Sequence, residues 1–84
     1  MNLTFTPSAW DDYQWFLTHE WKLLKRVNQL IQDALRTPFE GVGKPEPLKY
    51  LGSGVWSRRL TQEHRIVYLV GNERVDFLQA RYHY

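Results

Sequence analysis

Val55-Trp56-Ser57-Arg58-Arg59-Leu60, Arg65-Ile66-Val67-Tyr68-Leu69-Val70 and Arg74-Val75-Asp76-Phe77-Leu78-Gln79-Ala80 are three runs rich in β-branched and aromatic residues. Turn signals at Thr61-Gln62 and Gly71-Asn72 separate them, so the stretch reads as an antiparallel three-strand meander. Upstream, Leu23, Val27, Leu30, Ile31 and Ala34 hold helical spacing over three turns, and Thr37-Pro38 stops that helix. Its other face carries Lys22, Lys25, Arg26, Gln29, Gln32, Asp33 and Arg36, which reads as a solvated face or a partner surface. A break near Thr18-His19 separates it from an earlier helix that opens at Thr6-Pro7, with Thr6 as N-cap and Pro7 at the first helical position. Ser8 followed by Asp11 is a competing cap, and Trp10, Tyr13 and Leu17 form the apolar stripe expected of this helix. Asn2 to Thr6 alternate, with Leu3 and Phe5 on one face, as a short strand does. The fold class is therefore α+β: a short N-terminal strand, two helices, then the meander, with both helices on one face of the sheet and the other face available.

With 84 residues, 43% of them hydrophobic, the chain reads as one domain over 1–84. A domain of that size buries roughly 60–65% of its unfolded surface. Four tryptophans, five tyrosines and four phenylalanines supply the contact area for so small a core, and there is no cysteine. The absence of cysteine suits a reducing compartment, and neither a signal peptide nor a membrane span is legible, so a cytoplasmic location is expected. A net charge of +2 is mild, so any attraction for nucleic acid must come from clustering, as in Lys22, Lys25 and Arg26, in Lys44 and Lys49, or in Arg58, Arg59 and Arg65.

From Pro38 to Gly54 the chain carries Gly41, Gly43, Pro45, Pro47, Gly52 and Gly54, too many breakers for a regular element. A loop of this length in so small a domain is usually functional. Within it, Glu46 sits between two prolines that restrict its backbone. Glu46, Arg65 and the tail Arg81-Tyr82-His83-Tyr84 supply a carboxylate, a cation and an imidazole. Those are the parts for cleaving RNA without a metal: a base for the 2′-hydroxyl, a cation for the phosphorane, and an acid for the departing 5′-oxygen.

Each residue also has a plainer reading. Glu46 could be a solvated loop acid, Arg65 an ion-pair partner of Glu63 or Asp76, and the tail a fraying end. Arg58 and Arg59 could be strand-edge charges that discourage aggregation; being adjacent, they face opposite sides of a strand, so at most one reaches a common pocket. Asp11 and Asp12 diverge by about 100° on a helix, fit poorly around one ion, and read as complements to the helix dipole. With no cysteine, and no ligand-type partners for His19 or His64, no metal site and no cofactor are expected.

The motifs Arg36-Thr37-Pro38-Phe39-Glu40-Gly41, Gly43-Lys44-Pro45-Glu46-Pro47-Leu48-Lys49, Trp56-Ser57-Arg58-Arg59, Glu63-His64-Arg65-Ile66-Val67-Tyr68 and Arg81-Tyr82-His83-Tyr84 resemble, in this order, a YoeB-type (Txe/YoeB) toxin of the RelE superfamily of bacterial toxin–antitoxin systems. The resemblance runs end to end and implies a ribosome-dependent endoribonuclease that cuts mRNA in the ribosomal A site. It also implies a cognate YefM-like antitoxin, a toxin homodimer, contact with operator DNA only through the antitoxin complex, and no membrane partner. Carried over by motif, it implies Glu46 as general base, Arg65 as the phosphate-stabilising cation, His83 as general acid and Tyr84 as a group orienting or stacking on the substrate. Lys44, Lys49 and Arg59 would hold RNA phosphates, the motif selecting Arg59 over Arg58. Two other functions compete: a non-enzymatic poison like the related ParE-type gyrase inhibitors, and a passive RNA-binding module. Glu46, Arg65 and His83 together favour the enzyme.

Overall fold

The computed structural model describes residues 1–81. In chain order the elements are β1 (Asn2–Phe5), α1 (Pro7–His19), α2 (Trp21–Arg36), β2 (Glu46–Pro47), a 3-10 turn (Lys49–Leu51), β3 (Val55–Arg59), β4 (Arg65–Gly71) and β5 (Arg74–Gln79). The meander is as expected, and it forms the centre of a five-stranded sheet ordered β1-β5-β4-β3-β2. β1 adds to β5 in parallel, Phe5 opposite Phe77, and every other pairing is antiparallel.

Both helices pack on one face of this sheet. Val27, Leu30, Ile31 and Ala34 of α2 are buried against Ile66, Tyr68, Val75 and Phe77, as the helical spacing predicts. Thr6 caps α1 by accepting the Ala9 N–H at 3.1 Å, and its own hydroxyl donates to the Leu78 carbonyl at 3.0 Å, so Ser8 is not the cap. The stripe expected on α1 is displaced: Trp10 and Leu17 are exposed, and Ala9 and Phe16 enter the core instead. Trp10 stacks on Tyr13 with ring centroids 6.0 Å apart, and both line an outer cleft with Phe5. Nor do Asp11 and Asp12 serve the helix dipole, since neither lies in the first turn.

The other sheet face is not wholly bare. Leu48, Val55 and Val67 form a second small cluster there, joined by Leu69 and Leu78. The breaker-rich segment also differs from the irregular loop expected of it, because Glu46 and Pro47 pair with β3. A proline is tolerated there because β2 is an edge strand, where a missing N–H breaks no ladder. Among the described residues no helix is long and apolar enough to cross a membrane.

Candidate active site

Residues directly opposite in a ladder share a face. Glu46 lies opposite Ser57, and Ser57 opposite Val67, a row across three strands on the face away from the helices; beyond it the pairing of β4 with β5 is irregular between Val67 and Tyr68. Two residues along β3, Arg59 lies opposite Arg65 on that same face. The Arg65 Nη1 donates to the buried Ser57 Oγ at 3.2 Å. The structure thus brings Glu46, Arg59 and Arg65 to one neighbourhood, with Ser57 between them; sequence reasoning missed that serine. Its signal was its alternation with Val55 and Arg59 on β3, which puts a hydroxyl that needs a partner on the same face as the candidate cation.

The ion pairs considered for Arg65 are absent: Glu63 lies 3.7 Å from the His64 Nε2, and Asp76 pairs with Arg74 at 3.4 Å. Among the described residues no carboxylate forms an ion pair with Arg65, which lies on the open side of the sheet. Lys44 and Lys49 flank β2, both exposed, Lys44 with a φ of +52°. His83 and Tyr84 lie outside the described residues.

What fixes Glu46 in place is a buried network on the opposite face. Arg58 is fully buried, not a strand-edge charge, and its Nη1 contacts Asp33 Oδ2 at 2.6 Å. The same guanidinium donates to the carbonyls of Thr37 at 2.5 Å, Glu40 at 2.9 Å and Val42 at 3.1 Å, while its Nε donates to the Tyr68 hydroxyl at 2.9 Å. Tyr68 in turn donates to the Pro38 carbonyl at 2.7 Å, and Asp33 accepts the Val42 N–H at 2.8 Å. One arginine therefore gathers residues 37–42 onto α2 and β3. The chain then passes Gly43, whose carbonyl accepts the Arg59 N–H at 2.7 Å, and enters β2 alongside β3. Gly43 has a φ of +85°, and a Cβ there would come within 2.8 Å of Leu30 Cδ2 and 3.1 Å of the Arg59 carbonyl, so only glycine fits. Asp33, expected on a solvated face, is buried; the Val42 amide and the Arg58 guanidinium hold its carboxyl below the usual range, outweighing desolvation. Burial pushes the Tyr68 phenol up, against the pull of Arg58.

Beyond β5 the chain is held by α1. Asp12 Oδ2 accepts the Ala80 N–H at 2.9 Å, Asp12 Oδ1 lies 3.8 Å from the Arg81 Nε, and the Arg81 guanidinium sits 4.3 Å from the centre of the Trp15 ring.

Residues 5–84 match the family described as YoeB-like toxin of bacterial type II toxin–antitoxin system. The chain belongs to that family. Toxin YoeB of Escherichia coli K12 is 49% identical over the full length of both chains. Among solved structures, a YoeB/ParE toxin from Agrobacterium tumefaciens superposes with a TM-score of 0.94 at 48% identity, covering all of both chains. Staphylococcus aureus YoeB, solved in a heterotetrameric YoeB–YefM complex, gives 0.87 at 41% identity over 100% of this chain and 98% of that one. As a YoeB-like toxin the protein is a ribosome-dependent mRNA endoribonuclease, and the fold implied by the resemblance is the one observed.

Proposed function

We propose that mRNA is cut on the open sheet face by transesterification. Glu46 takes the proton of the 2′-hydroxyl; the 2′-oxygen bonds to phosphorus; the bond from phosphorus to the 5′-oxygen breaks; and His83 gives its proton to that oxygen. The products are a 2′,3′-cyclic phosphate and a free 5′-hydroxyl. Arg65 holds the charge gathering on the phosphorane, Tyr84 orients or stacks on the substrate, and Lys44, Lys49 and Arg59 hold phosphates along the strand.

The observation that carries this reading is the placement of Arg65. It is held by Ser57, in the row beside Glu46, with no carboxylate partner among the described residues. A guanidinium so placed is ready for a phosphate. The ribosome supplies substrate orientation, a contribution that can be worth orders of magnitude in rate.

The antitoxin is YefM-like, as in the S. aureus complex. We take it to be acidic and to fold a flexible segment over the basic face. We also take the toxin to work in the cytoplasm as a single domain, to pair with a second copy, and to meet operator DNA only through the antitoxin.

Single-turnover cleavage on programmed ribosomes tests the roles. Glu46→Gln and His83→Gln are each expected to lose on the order of 10²–10⁴ in rate. Arg65→Lys keeps charge but not the planar fork, and should recover only part of the activity. Full activity in Glu46→Gln, or a 3′-hydroxyl on the upstream product, overturns the mechanism. New 5′ ends on translated messages separate this enzyme from a ParE-like poison that acts by binding alone.

A further inference from the structure

We infer that Asp12 and Trp15 of α1 are positioning residues for RNA cleavage, holding the point from which the chain leads to His83. The inference rests on His83 being the general acid. Hydrogen-bonded pairing of β5 with β4 ends with Gln79 opposite Val67. Past that register, the contacts of Asp12 with the Ala80 amide and of Asp12 and Trp15 with the Arg81 guanidinium support no ladder. Besides docking α1 on the end of β5, they fix the point at which the chain leaves the sheet.

Both anchors are themselves fixed. Trp15 stacks on His19 at 5.0 Å and meets Phe16 edge-on at 5.4 Å and His64 at 6.1 Å. α1 is tied to the same strand end nearly two turns earlier, through the Thr6 hydroxyl on the Leu78 carbonyl. The Asp12 and Arg81 side chains are 18% and 24% exposed, shielded enough for their attraction to restrict Arg81 rather than merely decorate the surface. His83 is two residues beyond Arg81, a reach of roughly 7 Å. Where Arg81 is held therefore bounds where a group two residues further on can reach, and a misplacement of 1 Å at a reacting group can cost on the order of 10²-fold in rate.

The test compares two leaving groups on programmed ribosomes, the natural 5′-oxygen and a 5′-bridging sulfur, which departs as a thiolate and needs no acid. On the oxygen linkage, Asp12→Ala and Trp15→Leu are expected to slow the saturating single-turnover rate by roughly 10- to 100-fold. The toxin concentration for half-maximal rate should stay unchanged. Trp15→Phe, which keeps a ring beneath the guanidinium, should retain most of the activity. On the sulfur linkage both slow variants should regain the rate of the unaltered toxin, as should His83→Gln. Equal losses on the two linkages, or no loss on oxygen, overturn the inference. Rescue of His83→Gln without rescue of Asp12→Ala removes only the positioning role; failure to rescue His83→Gln removes the general acid and this inference with it. Should Asp12→Ala not fold, Asp12→Asn carries the same comparison, since it keeps an oxygen for the Ala80 amide and loses the charge that faces Arg81.

Discussion

Arg58 and Arg59 are neighbours on β3, yet the sheet puts one inside and the other outside. On the helix face Arg58 is fully buried, paired with Asp33 and saturated by backbone carbonyls. On the open face Arg59 is exposed beside Arg65. Two like charges side by side would normally repel, and the arrangement on the open face makes sense where an anion is to come between them. The inner arginine holds residues 37–42 in place, and the outer two are the ones proposed above to meet substrate. Local chemistry does not separate the two roles; strand parity and the supply of a carboxylate do.

The sharpest way to break this contrast is Arg58→Ala. It strands the Asp33 carboxylate in a buried site and should cost about 3–5 kcal/mol in a urea melt. That is a large share of the stability of a small domain. Replacing both Arg58 and Asp33 by apolar residues of similar size should recover much of the loss, while still freeing residues 37–42 from α2. A mild effect of Arg58→Ala alone would mean that the network is peripheral.

A smaller effect should follow pH. The carboxyl of Asp33 has a lower pKa folded than unfolded. Its contribution to stability is therefore complete above its unfolded value near 3.9 and disappears as pH falls through the lowered folded value. Melts between neutral pH and strong acid should show this loss, and Asp33→Asn should flatten that part of the curve at the expense of stability at neutral pH. Smallest in stability is Arg59→Ala, expected to change the melt by less than about 0.5 kcal/mol. It should nonetheless weaken ribosome-bound mRNA contacts and lower the salt dependence of binding by about one phosphate. Unfolding of this variant would erase the distinction between the two arginines.

Strong periodicity made most of the fold legible in the sequence. The 3.6-residue stripe of α2 and the alternation of β3, β4 and β5 each extend over enough residues to outweigh local exceptions. β2 was not legible because two residues carry no period. The rotation of α1 was misread because bulk was taken for burial: Trp10 and Leu17 are large, but the helix is turned by its attachments to the end of β5, through Thr6 on Leu78 and Asp12 on Ala80. Those attachments join residues some seventy positions apart, and no local pattern encodes them. In the site, Glu46 and Arg65 were singled out from their residue types and Arg59 through the family resemblance, and the register places all three on one face. Asp33 was placed on a solvated face because it borders the apolar stripe. Its burial follows from Arg58 needing a partner once β3 has assigned it inward.

The order of strands also bears on how the protein is made. β5 is the last of the five strands in the chain, yet it lies between β1 and β4. While the polypeptide emerges from a ribosome, N-terminal end first, β1 has no neighbour to add to and the helices have only part of a sheet to cover. Closing the sheet must wait for residues 74–79, when contacts spanning nearly the whole chain form together. A nascent chain therefore cannot close its sheet before residues 74–79 have emerged to receive β1 on one side and β4 on the other.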